Sequence, residues 1–341
     1  MRVIHLVCSD GFGGVERYIA NLAVSLRGHG DEVDVVGGDP ALMRAAVGDA
    51  GVGWHPGSSM RAARRSLDDL GAADILNTHM SQADLLGVGY GLTPVGRRAA
   101  HVSTRHFAAP RGGSPLTRAV FSLARRRISA ELAISNFVAA SIRSPSTVVH
   151  SGVASRPLST ERERIVLVAQ RLEAEKDTAT ALRAWALSAV AGKGWRMQIA
   201  GEGAQLPELM ALADKLGISD TVDFLGFRSD IDVLLRRAGC VLAPTPREGL
   251  GILVLEAMSH GAPVIASAAG GHLETVGAVE PSLVFAVGDA AAAGELIDAL
   301  VDDEQRRRDV GAAAWAWQRA HFSLDAQTAG TRALYREVRA R

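Results

Sequence analysis

The sequence predicts an α/β protein made of two doubly wound domains that face one another across a cleft. Short β-branched runs alternate with amphipathic helical stretches almost from end to end, the pattern of parallel sheets covered on both faces. One break interrupts the alternation, between Ser151 and Glu163, where a stretch rich in Ser, Thr and Arg with a single proline reads as a linker. The 341 residues suit two domains of roughly 100–200 residues each.

In the first half, strands are expected at Val3–Val7, Val33–Val36, Ile75–Thr78, His101–Thr104 and Leu132–Ile134. Between the first two, Val15, Tyr18, Ile19, Leu22, Ala23 and Leu26 recur at helical spacing and form one apolar stripe. In the second half, strands are expected at Ile165–Ala169, Met197–Ala200, Val222–Leu225, Val241–Ala243, Val264–Ala266 and Leu283–Phe285. From about Glu304 the pattern is purely helical and ends in a helix over roughly Leu324 to Arg341. The expected domains are therefore 1–155 and 156–322, with a closing helix at 323–341.

Composition narrows the function classes. With 48% apolar and 22% charged residues the chain can bury a sizeable core. Its apolar runs are short, and none approaches the roughly 20 residues of a membrane span. The N-terminus reads as a strand and not as a signal peptide. Cys8 and Cys240 each lie in a strand-like run and read as buried thiols in a reducing compartment. A cytoplasmic location is expected.

Formal charge is zero over the whole chain, yet residues 1–155 hold 16 Arg, no Lys and 12 acidic residues, leaving +4 there and −4 beyond. The excess clusters at Arg61, Arg64 and Arg65, at Arg97 and Arg98, and at Arg125, Arg126 and Arg127. Such runs are commonly solvated helix faces. The sharper reading is contact with an anionic acceptor, or peripheral contact with the inner membrane face. Nucleic acid is disfavoured, because no aromatic residues interleave the basic runs.

The residues that carry chemistry lie just after strands. Pro244-Thr245-Pro246-Arg247-Glu248-Gly249-Leu250-Gly251 follows a strand and opens an apolar helix that contains Glu256. A glycine-bearing loop at a helix N-terminus offers N–H groups and partial positive charge to a phosphate. Glu256, on a buried helix, needs a partner, and ligand hydroxyls would serve. Alternatively Glu248 is a cap and Glu256 a paired core acid. Arg171 and Lys176 follow the strand at Ile165–Ala169, at the carboxyl end where open α/β sheets bind ligands. They suit a diphosphate, and a surface ion-pair cluster would explain them equally. Gly201-Glu202-Gly203 occupies a similar position.

In the first half, Gly11-Phe12-Gly13-Gly14 joins the first strand to the first helix but lacks the third glycine of a dinucleotide fingerprint, and no P-loop follows. His79 and His106 each end a strand-like run. No Cys/His cluster has zinc spacing and no Asp-x-Asp is present, so neither metal nor cofactor is expected. The G-x-S-x-G elbow of a serine hydrolase is absent.

With these residues in view, the chain resembles the family-four retaining glycosyltransferases of the GT-B fold, the glycosyl transferases group 1. The resemblance runs from Val149-His150-Ser151-Gly152-Val153 through Arg171 to Asp177, Gly201-Glu202-Gly203 and Val222–Phe227. It continues through Glu248-Gly249-Leu250-Gly251, Gly261–Ser267, Gly270-Gly271 and Glu274. It is looser in the first half, on Gly13-Gly14, His79, Thr104-Arg105-His106 and Ser135-Asn136. Many relatives have Asn at Ser151 and Pro at Ala204, and the first domain is compact for the family, which bears on the acceptor.

The resemblance implies that the last helix crosses back to the first domain. It implies a nucleotide-sugar donor, UDP- or GDP-linked, and leaves the acceptor (lipid, saccharide or small metabolite) unidentified. It assigns Arg171 and Lys176 to the diphosphate, Glu248 to the transferred sugar and Glu256 to the ribose. The N–H groups of Gly249, Leu250, Gly251, Gly13 and Gly14 would line phosphates and sugar, and His106 would stand near the reacting centre. A sugar-nucleotide epimerase of the same build, or a non-catalytic nucleotide-sugar-binding protein, are the alternatives.

Overall fold

A computed structural model describes residues 1–109, 111–112, 115–142 and 144–341, with the backbone alone at 115–117. The chain divides into two compact units, Met1–Gly152 with Leu324–Arg341, and Val153–Ser323.

The first unit runs β1 (Arg2–Val7), α1 (Gly14–Gly28), β2 (Glu32–Val36), α2 (Pro40–Val47), β3 (Gly53–His55), α3 (Met60–Leu70), β4 (Ile75–His79), α4 (Met80–Tyr90), β5 (Ala100–Arg105), α5 (Pro115–Arg125), β6 (Ala130–Ala133), α6 (Asn136–Ser141) and β7 (Thr147–Val148). Its strands form one parallel sheet ordered β3-β2-β1-β4-β5-β6-β7. The central strands are buried along their length, as parallel strands covered on both faces must be. The apolar stripe of α1 is the buried face of that helix. Polar side chains fix where helices begin: Asp39, Ser59 and Ser135 each accept backbone N–H bonds from the first turn that follows. Two strands escaped the sequence reading, β3 and β7, with three and two residues. Both lie at sheet edges, where too few alternating side chains exist to make a pattern.

The second unit runs β8 (Ile165–Ala169), α7 (Thr178–Leu187), β9 (Arg196–Ala200), α8 (Leu206–Leu216), β10 (Val222–Gly226), α9 (Ile231–Arg237), β11 (Cys240–Ala243), α10 (Ile252–Ser259), β12 (Val264–Ser267), α11 (Gly271–Val279), β13 (Val284–Phe285), α12 (Ala290–Asp302) and α13 (Glu304–His321). Its parallel sheet is ordered β10-β9-β8-β11-β12-β13. Leu283, expected as strand, belongs to a 3₁₀ turn started by Pro281.

The border between units lies three residues before the expected 155/156. Val153 N–H donates to Phe322 O at 2.9 Å, and Val153 bridges Ser323, which ties the start of the second unit to its end. The polar stretch read as a linker is accordingly held to that unit. The Arg162 guanidinium donates to the carbonyls of Leu235, Ala238 and His260, and the Glu163 N–H donates to Arg237 O at 2.7 Å.

The segment after Ser323 is α14 (Leu324–Ala340), part of the first unit. Asn77 Nδ2 donates to the Tyr335 hydroxyl at 2.6 Å, Thr328 Oγ1 donates to Ser25 at 2.7 Å, and Arg332 pairs with Asp31 at 2.9 Å. Leu334, Tyr335 and Val338 are all buried there.

Candidate active site

Both sheets reverse their strand order once, and ligands of open α/β sheets bind beyond the strand carboxyl ends at that reversal. In the second unit the reversal lies between β8 and β11. The loop after β8 carries Arg171 and Lys176, and the loop after β11 carries Glu248 and the glycines. The two loops meet: Lys176 Nζ lies 3.0 Å from Glu248 Oε2, with side chains 22% and 25% exposed. Gln170 locks this arrangement from behind. Its amide donates to Lys176 O at 2.9 Å and Thr178 Oγ1 at 3.0 Å, while its Oε1 accepts from Thr245 Oγ1 at 3.0 Å.

Glu248 is held as well as paired. Its carbonyl accepts from Gly271 N–H at 3.0 Å, and its Oε1 accepts from Gly249 N–H at 3.1 Å. A Cβ on Gly271 would lie 2.3 Å from Leu250 Cα, so only glycine lets α11 begin this close to the loop. Gly251 caps α10 in the left-handed region, with φ 93°. His272 stands behind it, buried, with Nδ1 3.1 Å from Ser267 O. Burial holds this imidazole below its usual value against the opposite pull of the Glu248 carboxylate.

Arg171 is placed differently from Lys176. Its side chain is 67% exposed and pairs with Glu175 at 2.7 Å. Glu256 lies in the middle of α10, which begins only at Ile252, and is half-buried. A larger cavity of about 780 Å³, lined by Arg162, Trp195, Gly239 and Arg307 among others, opens at the amino ends of the same strands and is separate from these loops.

In the first unit the reversal lies between β1 and β4. Gly13 and Gly14 follow β1 and start α1. The Gly13 N–H is engaged by Glu16 Oε2 at 2.9 Å, and Glu16 Oε1 accepts from Ser9 Oγ at 2.6 Å. His79 ends β4 and His106 follows β5. Neither is a lone histidine. His5 Nδ1 is 3.1 Å from His79 Nε2, and His79 Nδ1 is 2.9 Å from His106 Nε2. Burial lowers His5 and His106 to about 3, and His79 well below its ordinary value. His79 and His106 stand out in the sequence at the ends of strand-like runs, whereas His5, in the middle of β1, gives no local signal.

Among the described residues, two that are not glycine have positive φ: Met80 at 72° and Asp177 at 49°. Each follows the carboxyl end of a strand beside its sheet's reversal, where strained backbone commonly accompanies a binding site. Among the same residues no group of three His, Cys, Asp or Glu could hold a metal, and no helix is long and apolar enough to cross a membrane.

Comparison with known proteins follows this division. Residues 12–155 match the model of Glycosyltransferase Family 4, and residues 154–317 match that of Glycosyl transferases group 1. The chain is 33% identical over 135 residues to a 2-deoxystreptamine glucosyltransferase of Streptomyces kanamyceticus, covering 39% of this chain and 35% of that one. It is 33% identical over 143 residues to a lipopolysaccharide core biosynthesis mannosyltransferase of Rhizobium leguminosarum bv. viciae, covering 40% and 41%. The match thus spans well under half the length of either relative. The structure of Anabaena Alr3699/HepE in complex with UDP and glucose superposes with a TM-score of 0.84 at 19% identity, over 99% of this chain and 100% of that one, which establishes a shared fold. The chain is accordingly built from two Rossmann-like glycosyltransferase domains of the GT-B fold, a Family 4 type followed by a group 1 type.

Proposed function

We propose that this chain transfers a sugar from a nucleoside diphosphate sugar, UDP- or GDP-linked, to a separate acceptor, with retention at the anomeric carbon and without a metal ion. The observation that carries this reading is the Lys176–Glu248 pair at the sheet reversal of the second unit. A cation for the diphosphate and a carboxylate for sugar hydroxyls stand side by side there, at the N-terminal end of α10.

When the bond from the anomeric carbon to the diphosphate oxygen lengthens, positive charge grows on carbon and negative charge on the leaving group. Lys176 and the N–H groups of Leu250 and Gly251 are assigned to that negative charge, joined by Arg171 after it leaves Glu175 and by the Gly249 N–H after it leaves Glu248 Oε1. Glu248 accepts hydrogen bonds from hydroxyls of the transferred sugar, and Glu256 from those of the ribose. From the first unit, Gly13, Gly14 and His106 are assigned to the phosphates and sugar. The departing phosphate takes the acceptor's proton.

Screening UDP- and GDP-sugars against pooled lipid and saccharide acceptors, reading released nucleoside diphosphate, tests the reaction. Release is expected to continue after exhaustive chelation, and NMR of the product should show the donor's anomeric configuration. No release from any donor overturns the reaction; loss on chelation restored by magnesium overturns metal independence.

Peripheral contact with an anionic membrane is a second part of the reading, favoured by α5. Val120 and Leu123 are 47% and 67% exposed there, beside Arg126 and Arg127, while Arg125 pairs with Glu131 at 3.1 Å. Such an amphipathic basic face suits acidic headgroups. The chain should float with phosphatidylglycerol vesicles and not with phosphatidylcholine vesicles; equal recovery would remove the contact.

A further inference from the structure

Three imidazoles stand in file inside the first unit. His5 is in β1, His79 ends β4 and His106 follows β5, each ring hydrogen-bonded to the next. Tyr18 packs edge-on against both His79 and His106, with ring centroids 5.9 Å and 4.8 Å away. These contacts fix the ring planes.

They also fix protons. Each neutral imidazole has one N–H and one bare nitrogen, and each contact needs one of each. The three tautomers are therefore locked together: all rings carry hydrogen on Nδ1, or all carry it on Nε2. The closed end of the file decides between them. His5 Nε2 is buried and has no hydrogen-bond partner. A buried orphan N–H is rarer than an under-satisfied acceptor, so the state with a bare Nε2 on His5 is favoured. Every ring then carries hydrogen on Nδ1. His5 donates to His79, His79 donates to His106, and His106 keeps a donor on the nitrogen that His79 does not engage. His106 lines a small cavity of about 120 Å³ with Met80, Ser81, Thr104 and Phe107.

We propose that His5 and His79 are positioning residues that hold His106 as a neutral Nδ1–H donor toward an oxygen of the transferred sugar or its phosphate. The assignment rests on the sugar-transfer reading, and it makes His106 a donor and not a base. A base at this ring would need a bare Nδ1, which the file denies it.

Two-bond nitrogen–proton correlation spectra of the intact chain, labelled in histidine, read the tautomers directly. All three rings should be neutral with hydrogen on Nδ1 at neutral pH; hydrogen on Nε2 of His106 overturns the proposal. Activity supplies the second arm. His79→Asn keeps an amide N–H where Nδ1–H stood, whereas His79→Phe keeps only the shape. His79→Phe should lower kcat about tenfold or more, with donor KM within about threefold, and should leave His106 in mixed tautomers. His79→Asn should return kcat to within about threefold of the parent. Equal losses in two variants with the parent's circular dichroism overturn the positioning role. Should His79→Phe not fold, His5→Phe replaces it, with mixed His106 tautomers expected and an unchanged single tautomer overturning the idea. A parent that releases no nucleoside diphosphate overturns the sugar-transfer reading alone, because the spectra still decide the file.

Discussion

Lys176 and Glu248 neutralise each other across their 3.0 Å contact, and this sets what each substitution should do. Glu248→Ala removes a hydrogen-bond acceptor for the sugar and frees the ammonium. Turnover should fall about tenfold or more, since a charge-assisted bond contributes about 1.5–3 kcal/mol. Affinity for UDP should nevertheless hold or rise. Titration calorimetry showing weaker UDP binding, with near-parent turnover, would remove Glu248 from the sugar. Lys176→Ala should weaken UDP binding more than uridine binding, and by more than Arg171→Ala does. The Arg171 side chain is exposed and must give up Glu175 and much of its hydration to reach a phosphate. Much of this site was legible from the sequence, because a glycine turn after a strand announces itself over a few residues. Gln170 was not, since its role consists of bonds to residues six, eight and 75 positions away. The left-handed backbone at Met80 and Asp177 was equally silent, because neither residue type requires it.

Strands and helices were legible in proportion to their length. The central strands announce themselves as apolar runs and α1 as a stripe, whereas β3 and β7 are too short to carry a period. At this scale the junction of α11 with the Glu248 loop gives the sharpest test. Gly271→Ala would drive a methyl into the backbone at Leu250, which has no flexible end to swing aside. The loop must shift, carrying Glu248 away from Lys176. Donor turnover should therefore drop about tenfold or more while the melting transition stays cooperative. Gly277→Ala, on the same helix with only ordinary contacts at 3.7 Å, should stay near parent activity. Equal activity in the two variants would show that the close approach is not needed.

Across the whole molecule, buried imidazoles couple folding to acidity. Burial pushes His5 and His106 down to about 3; burial and then Arg111 push His101 to about 4, and burial and then the neighbouring His106 and His5 hold His79 far below normal. In the unfolded chain these rings take up protons below about 6.5. The unfolded state thus binds more protons between about 6.5 and 3–4, so stability is complete above that window and lost as pH falls through it. Each ring that titrates on unfolding steepens the loss by up to about 1.4 kcal/mol per pH unit. Urea midpoints should drop clearly between pH 7 and pH 5, and a flat midpoint would contradict neutral burial.

The first unit is also discontinuous in the chain, being closed by α14 after the whole second unit has intervened. On the ribosome, synthesis is directional, and units close in the order their last segments emerge. The second unit is complete at Ser323, before the first unit, whose strands have all emerged by Val148, receives its last helix. The first unit, begun earlier, waits with Asn77 lacking its bond to Tyr335 and with the ground beneath Leu334 and Val338 uncovered. The half translated first therefore matures last, and it is the half whose nascent state chaperones have most reason to meet.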